Sequence, residues 1–303
     1  MEEERVYDIF HDENKDDGFW HSFIFIPRDK NRFLLELLLE ARKNLNYYYP
    51  IHFTNIKSKT SSNSVIVRLV RSWITILYYA IQQQKISADL DLGVNSNRPI
   101  TRKIKGLDKK IGARFVTLRE RDNLKSMYDT MSYSRKVETT LRMGLKGGSH
   151  FLFKNENIRI GNIYVDHPPK NFEKNYNKYN IIGKFQNEAK ENISFESNTD
   201  IIPIDKREYK QKEMISEFMQ LADVAVGAIR ARKLKILNPR TRFDISYPFQ
   251  ELLDKEINIK KRMENSRFKN AFSLSDAWIE NGSWCFDQMQ SDKYSCDDEP
   301  MLF

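Results

Sequence analysis

Three places in the chain set an acidic residue at the end of an apolar strand-like run or at the edge of an apolar helical stripe. They are Asp12 and Glu13 in "YDIFHDENKDDGFW", Asp166 in "IYVDHPP" and Asp223 in "MQLADVAVGAIR". An acid beside a buried stripe needs a partner, because an unpaired buried carboxylate is costly. Carboxylates converging from separate elements are the oxygen ligands that Mg2+ or Mn2+ takes. Ions held this way activate water and stabilise the leaving oxygen in phosphodiester hydrolysis. Each acid also has a plainer reading: Asp12 and Glu13 as a hairpin tip, Asp166 as a turn residue before two prolines, Asp223 as the partner of a base such as Arg230.

The elements that must position these acids follow from hydrophobic period. Val6 to Phe10 and Phe19 to Ile26 are short runs rich in β-branched and aromatic residues, joined by "HDENKDDG", and read as an antiparallel pair. Residues 32–45 and 64–84 carry helical stripes. Pro50 breaks the chain between them, with a short strand expected at Ile51 to Thr54. Residues 86–111 lack a clear period and read as a long basic connection. Ala113 to Leu118 is a strand candidate, and residues 124–145 a helix that "KGGSH" would end. Ile158 to Val165 is a strand, and Ile193 to Phe195 and Ile201 to Ile204 are weaker ones.

Glu213 to Leu234 is the clearest helix, with Ile215, Phe218, Met219, Ala222, Ala225, Val226 and Ile229 on one stripe. Asp223 lies about 100° from the centre of that stripe. Ala222, Ala225, Gly227 and Ala228 remove bulk around it, so the helix can approach a sheet closely. A charged helix is expected over 248–263, followed by a tail. The alternation of strands and helices predicts an α/β fold, a mixed sheet covered by helices.

The chain has 303 residues, 40% hydrophobic and 30% charged, and no apolar run approaches the length of a membrane span. The acidic start "MEEERVYD" lacks the layout of a signal peptide, so a cytoplasmic product is expected. Cys285 and Cys296 have no zinc spacing around them. The formal charge of +8 favours polyanionic partners. Arg98 to Lys125 holds ten basic residues against three acidic ones, and Arg230 to Arg242 six against none. Lys15, Arg102, Lys103, Lys105, Lys109, Lys110, Arg230, Arg232 and Lys233 are the candidates to hold a nucleic-acid backbone. The plainer reading is a set of solvated faces.

The Asp-Glu pair closing the first strand, the polar turn after it, and the late helix with "QLAD" and its small residues resemble the family known as domain of unknown function 3800. That resemblance spans residues 5–235 and implies an RNase H-like mixed sheet flanked by helices. Helical insertions and a C-terminal extension would complete it. It implies metal-binding, catalytic acids at Asp12, Asp166 and Asp223, with Glu13 beside them, and Mg2+ or Mn2+ as the cofactor. Asn14 and Lys15 stand where the family has Ser-Gly, which leaves Glu13 either a second ligand or a residue on the opposite face. Asp200 or Asp205 is the alternative middle acid, and Glu120 and Asp122 are further ones.

His11 and His167 adjoin proposed metal acids and read as proton carriers or as structural residues. The domain is expected at 1–238, with the basic connection near 86–111 and a variable insertion near 168–212. A helical extension and tail should occupy 239–303. The function expected is a metal-dependent nuclease acting on DNA or RNA. The alternative is an inactive module of the same fold that binds nucleic acid or a protein partner.

Overall fold

Ten residues, "RVYDIFHDEN", alternate apolar side chains to both faces of a strand, so β1 (Arg5–Asn14) belongs in the middle of a sheet. In the computed structural model it lies between β2 (Phe19–Pro27), antiparallel, and β4 (Ile158–Asp166), parallel. The residues described are 4–14, 19–57, 60–61, 63–82, 111–120, 133–154, 156–167, 177–205, 207, 209, 213–253, 271–280 and 283–288.

Beyond β2 come β3 (Arg114–Glu120), then β7 (Phe272–Glu280) and β8 (Ser283–Gln288). On the other side of β4, β5 (Ile193–Phe195) pairs with its first half and β6 (Ile201–Ile204) with its second half, both parallel to it. The fold is therefore mixed α/β, and its sheet is mixed in strand direction.

Helices cover both faces. Phe10, Trp20, Ile24 and Ile26 share one core with α1 (Asn31–Leu45) and α2 (Val65–Gln82). Tyr7, Ile9, Phe23 and Phe25 turn to the other core, under α3 (Tyr133–Leu152) and α4 (Lys178–Glu188). The first core also takes in α5 (Met214–Lys233), which is buried around nearly its whole circumference. Its neighbours are therefore protein on almost every side. Asp223 is one of the few α5 residues that reach solvent. No described helix is long and apolar enough to cross a membrane.

The sequence expectations fail at three places. Ile51 to Thr54 is not a strand; the chain makes a single 3-10 turn at Phe53–Asn55 instead. The glycines of "KGGSH" do not end a helix, because α3 runs through them to Leu152. Gly148 serves close packing there, since a Cβ would come 2.7 Å from a methyl of Val116 on β3. The chain beyond residue 238 is not only helix and tail. After α6 (Arg240–Ile245) and the short helix Gln250–Leu253 it returns to the sheet as β7 and β8. "FSLSDAWIE" had the period of a strand, with Phe272 and Leu274 facing the core. Residues 254–263 of the expected charged helix lie outside the described residues.

Buried polar groups tie the first core together. Arg42 of α1 is 2% exposed and donates through Nε to Glu217 of α5 at 2.8 Å. Its Nη2 donates to Gln220 Oε1 at 3.0 Å, and its guanidinium lies over the Trp73 ring of α2. A permanent charge in that position has no water to fall back on. Glu217→Gln should therefore destabilise the fold by about 3–5 kcal/mol in urea unfolding, because it leaves the buried guanidinium without its counter-charge.

Candidate functional site

Parallel pairing sets the level of the acids. His11 of β1 lies opposite Val165 of β4, so Asp12 and Asp166 follow at the C-terminal ends of two adjacent strands. Phe10 and Tyr164, two residues earlier, stack with ring centroids 4.9 Å apart on the α5 side of the sheet. Side chains alternate, so Asp12 and Asp166 belong to that same side. β6 adds a third acid at this level, for Asp166 pairs with Ile204 and Asp205 follows it. Asp200 starts β6 at the other end, in an ion pair with Lys178 at 2.9 Å. Of the two alternative middle acids, then, Asp205 stands with Asp166 and Asp200 does not.

The helix brings Asp223 to the same end. The Ser22 hydroxyl lies between the carbonyl oxygens of Asp12 and Ala222, 3.4 and 3.3 Å from them. On another side of α5, Gly227 lets the turn at Phe53–Asn55 pack closely, because a Cβ there would run into the ring of Phe53. Asp223 Oδ2 lies 3.0 Å from His52 Nδ1. His52 in turn lies against Tyr209, with centroids 6.2 Å apart and the rings nearly parallel.

Tyr209, half-buried against His52, feels the charge of all four acids. Burial pushes its pKa up first, and the negative charges of Asp166, Asp12, Asp223 and Asp205 push it further in that order. Tyr209 thus keeps its proton and can donate a hydrogen bond amid four carboxylates. Asp205 is engaged by Arg207, whose Nε lies 2.9 and 3.0 Å from its two oxygens. Asp12 Oδ1 accepts from the amide of Glu13 at 2.8 Å. In donor type these carboxylates suit Mg2+ or Mn2+. Among the described residues, no three His, Cys, Asp or Glu side chains are drawn into a group that could hold an ion.

Glu13 points elsewhere. It pairs with His21 across β1 and β2, on the face opposite Asp12. A buried polar chain occupies that face. His11 Nε2 and His21 Nδ1 are 3.1 Å apart, His21 Nε2 stands 3.4 Å from Glu120 Oε1, and Thr140 donates to that oxygen at 2.7 Å. His11 is therefore part of the opposite layer, although it adjoins Asp12.

Of the basic candidates, Arg230 and Lys233 are 3% and 1% exposed and have almost no surface to offer a phosphate. Arg232 is half-buried, its guanidinium 4.0 Å from the centroid of Phe243. Lys15, Arg102, Lys103, Lys105, Lys109 and Lys110 lie outside the described residues, as does Asp122.

Residues missed in the sequence are His52 and Tyr209. His52 has no acid near it in the chain, and Tyr209, four residues after Asp205, carries no pattern that marks it; the turn after Pro50 and the segment after β6 bring them in. Neither a protein-family model nor a curated protein matches this chain.

The packing at Gly227 gives one expectation. Gly227→Ala should cost about 1–3 kcal/mol in thermal or urea unfolding, because the added methyl must displace Phe53. Gly147→Ala, where a Cβ meets nothing within 4 Å, should be neutral or stabilising by up to about 1 kcal/mol. Equal effects of the two would contradict this packing.

A second expectation concerns pH. Burial first, and then His21, hold the imidazole of His11 well below the ordinary histidine range. The unfolded chain takes up a proton on His11 near pH 6.5 and the folded chain does not, so stability falls as pH drops below about 6.5. In urea unfolding between about pH 7 and pH 5, His11→Gln should lose less stability than the wild type. An unchanged slope would place the acid sensitivity on other groups.

Proposed function

We propose that this chain is a divalent-metal-dependent nuclease that hydrolyses phosphodiester bonds, built on an RNase H-like sheet as its resemblance to the domain-of-unknown-function 3800 family implies. The observation that carries the reading is the common level of Asp12, Asp166 and Asp205 at the C-terminal ends of β1, β4 and β6, to which the contact of α5 with β2 at Ser22 and Ala222 also brings Asp223. They come from β1, β4, the end of β6 and α5, at the C-terminal ends of parallel strands, where sheets of this kind bind ligands. Like charges repel, so such a gathering raises the energy of the fold unless something at the site uses it.

Asp12, Asp166 and Asp223 are the residues that would hold Mg2+ or Mn2+, which when bound would activate water and stabilise the leaving oxygen. The chain's own part is to fix those carboxylates and to meet the phosphate. The amide of Glu13 restrains Asp12, and His52 restrains Asp223, so neither carboxylate turns freely. The protonated Tyr209 is a donor suited to a phosphate oxygen entering among the acids. Arg207, 77% exposed on its side chain, offers a cation at the rim while holding Asp205.

A second reading has its own observation. Asp205 is already engaged by Arg207 and Asp223 by His52, an arrangement that also suits a module of the same fold that binds nucleic acid without cutting it.

Cleavage of labelled DNA and RNA in Mn2+ separates the two. Asp12→Asn and Asp223→Asn should each lower the rate by more than about 100-fold, since loss of a residue one step removed from a metal already costs up to that much. Both variants should melt at or above the wild-type temperature, because each removes one of the crowded charges. Cutting at the wild-type rate by either variant would remove that acid from the site.

A further inference from the structure

One segment beside the acids is held far more firmly than its exposure requires. Residues 47–52 read "YYPIH" after Tyr47, and buried side chains grip their backbone. Arg42 Nη1 donates to the carbonyl oxygens of Tyr47 at 3.3 Å and Tyr49 at 2.9 Å. The Ile51 amide donates to Gln220 Oε1 at 2.7 Å, and Ile51 is itself fully buried. His52 closes the segment on Asp223 at 3.0 Å. Pro50, which has no amide to satisfy, stiffens it further.

Fixing a backbone costs about 1–2 kcal/mol per residue. The segment nevertheless presents Tyr49 with 70% of its surface in water, the ring braced at 70° against Tyr47. The need of Arg42 for acceptors accounts for the clamped backbone, but the aromatic ring that this backbone holds in the open needs its own explanation. The position supplies one. Tyr49 is three residues from His52, hence at most about 11 Å along the chain from a residue bonded to Asp223. An aromatic ring held rigidly in the open beside a phosphodiester site is the form of a stacking platform for a nucleobase. Only an unpaired base offers its face to such a ring, and stacking of this kind tolerates any sequence.

We propose that Tyr49, on the segment clamped by Arg42 and Gln220, stacks a base next to the carboxylate cluster, so that the substrate of this site is single-stranded nucleic acid. This rests on the nuclease reading for the chemistry at the acids, but not for the binding itself. The chain's charge of +8 complements a polyanion, and the clamps are buried, so the platform exists before any strand arrives.

The test is fluorescence anisotropy in EDTA with a short labelled single strand and with the same sequence as a blunt duplex. Tyr49→Ala should weaken single-strand binding at least about fivefold and leave duplex binding alone, while Tyr49→Phe binds as the wild type does. Tyr49 is exposed, so neither substitution should disturb folding, which circular dichroism checks. Wild-type affinity of Tyr49→Ala for the single strand, or an equal loss on the duplex, would overturn the platform.

Cleavage in Mn2+ by the same proteins keeps the two claims apart. A single-strand binding loss in Tyr49→Ala with no cleavage by the wild type supports the platform and removes the nuclease. Cleavage by the wild type with no binding loss in the variant does the reverse.

Discussion

Arg42 is the constraint on which the site side of the molecule depends. A guanidinium cannot shed its charge inside a protein, so at 2% exposure every direction it points must meet an acceptor. Glu217, Gln220 and the carbonyls of Tyr47 and Tyr49 meet it. These partners belong to α5 and to the segment after α1, and thereby fix the segment against the helix. Gln220 extends the grip to the amide of Ile51. His52 then arrives at Asp223 as a consequence, without any local sequence signal of its own.

The sheet separates two polar layers that the sequence runs together. "HDE" places His11 and Glu13 on one face of β1 and Asp12 on the other. On the α5 side, Asp12 stands level with Asp166 and Asp205 at the strand ends, and their charges, with that of Asp223, push the pKa of Tyr209 up after burial has done so. On the α3 side, His11, His21, Glu120 and Thr140 form a buried polar chain. Adjacent residues thus have unrelated surroundings. Proximity in sequence to a proposed ligand says nothing about His11, whereas His52, distant in sequence, touches one.

Much of the frame was legible. β1, β2, β4 and α5 declare themselves by alternation or by helical period, and the small residues around Asp223 foretell the close approach to the sheet that Ala222 makes at Ser22 of β2, whereas Gly227 packs on Phe53 of the turn. Glycine misled at "KGGSH", because the same residue that permits a left-handed end also permits two elements to touch, and Gly148 does the second. β7 is harder to see in the sequence, because its alternation follows a charged stretch near the chain's end, where a tail is the usual expectation. Long-range pairing decided it, as β7 lies parallel to β3 across more than 150 residues of chain. The acids on β1, β4 and α5 could be picked out one by one. Tyr209 and His52 could not, because their place depends on two irregular segments. Asp205 could be named only as an alternative until the β4 and β6 register put it beside Asp166.

The proposed divalent-cation site at Asp12, Asp166 and Asp223 is open to a direct measurement. Calorimetric titration of Mn2+ into the wild-type protein and into the paired substitution Asp12→Asn with Asp223→Asn addresses it directly. The wild type should bind Mn2+ saturably, and the double variant should lose that binding while its fold persists. Absence of saturable binding to the wild type at millimolar Mn2+, both alone and with nucleic acid present, would contradict the proposed site.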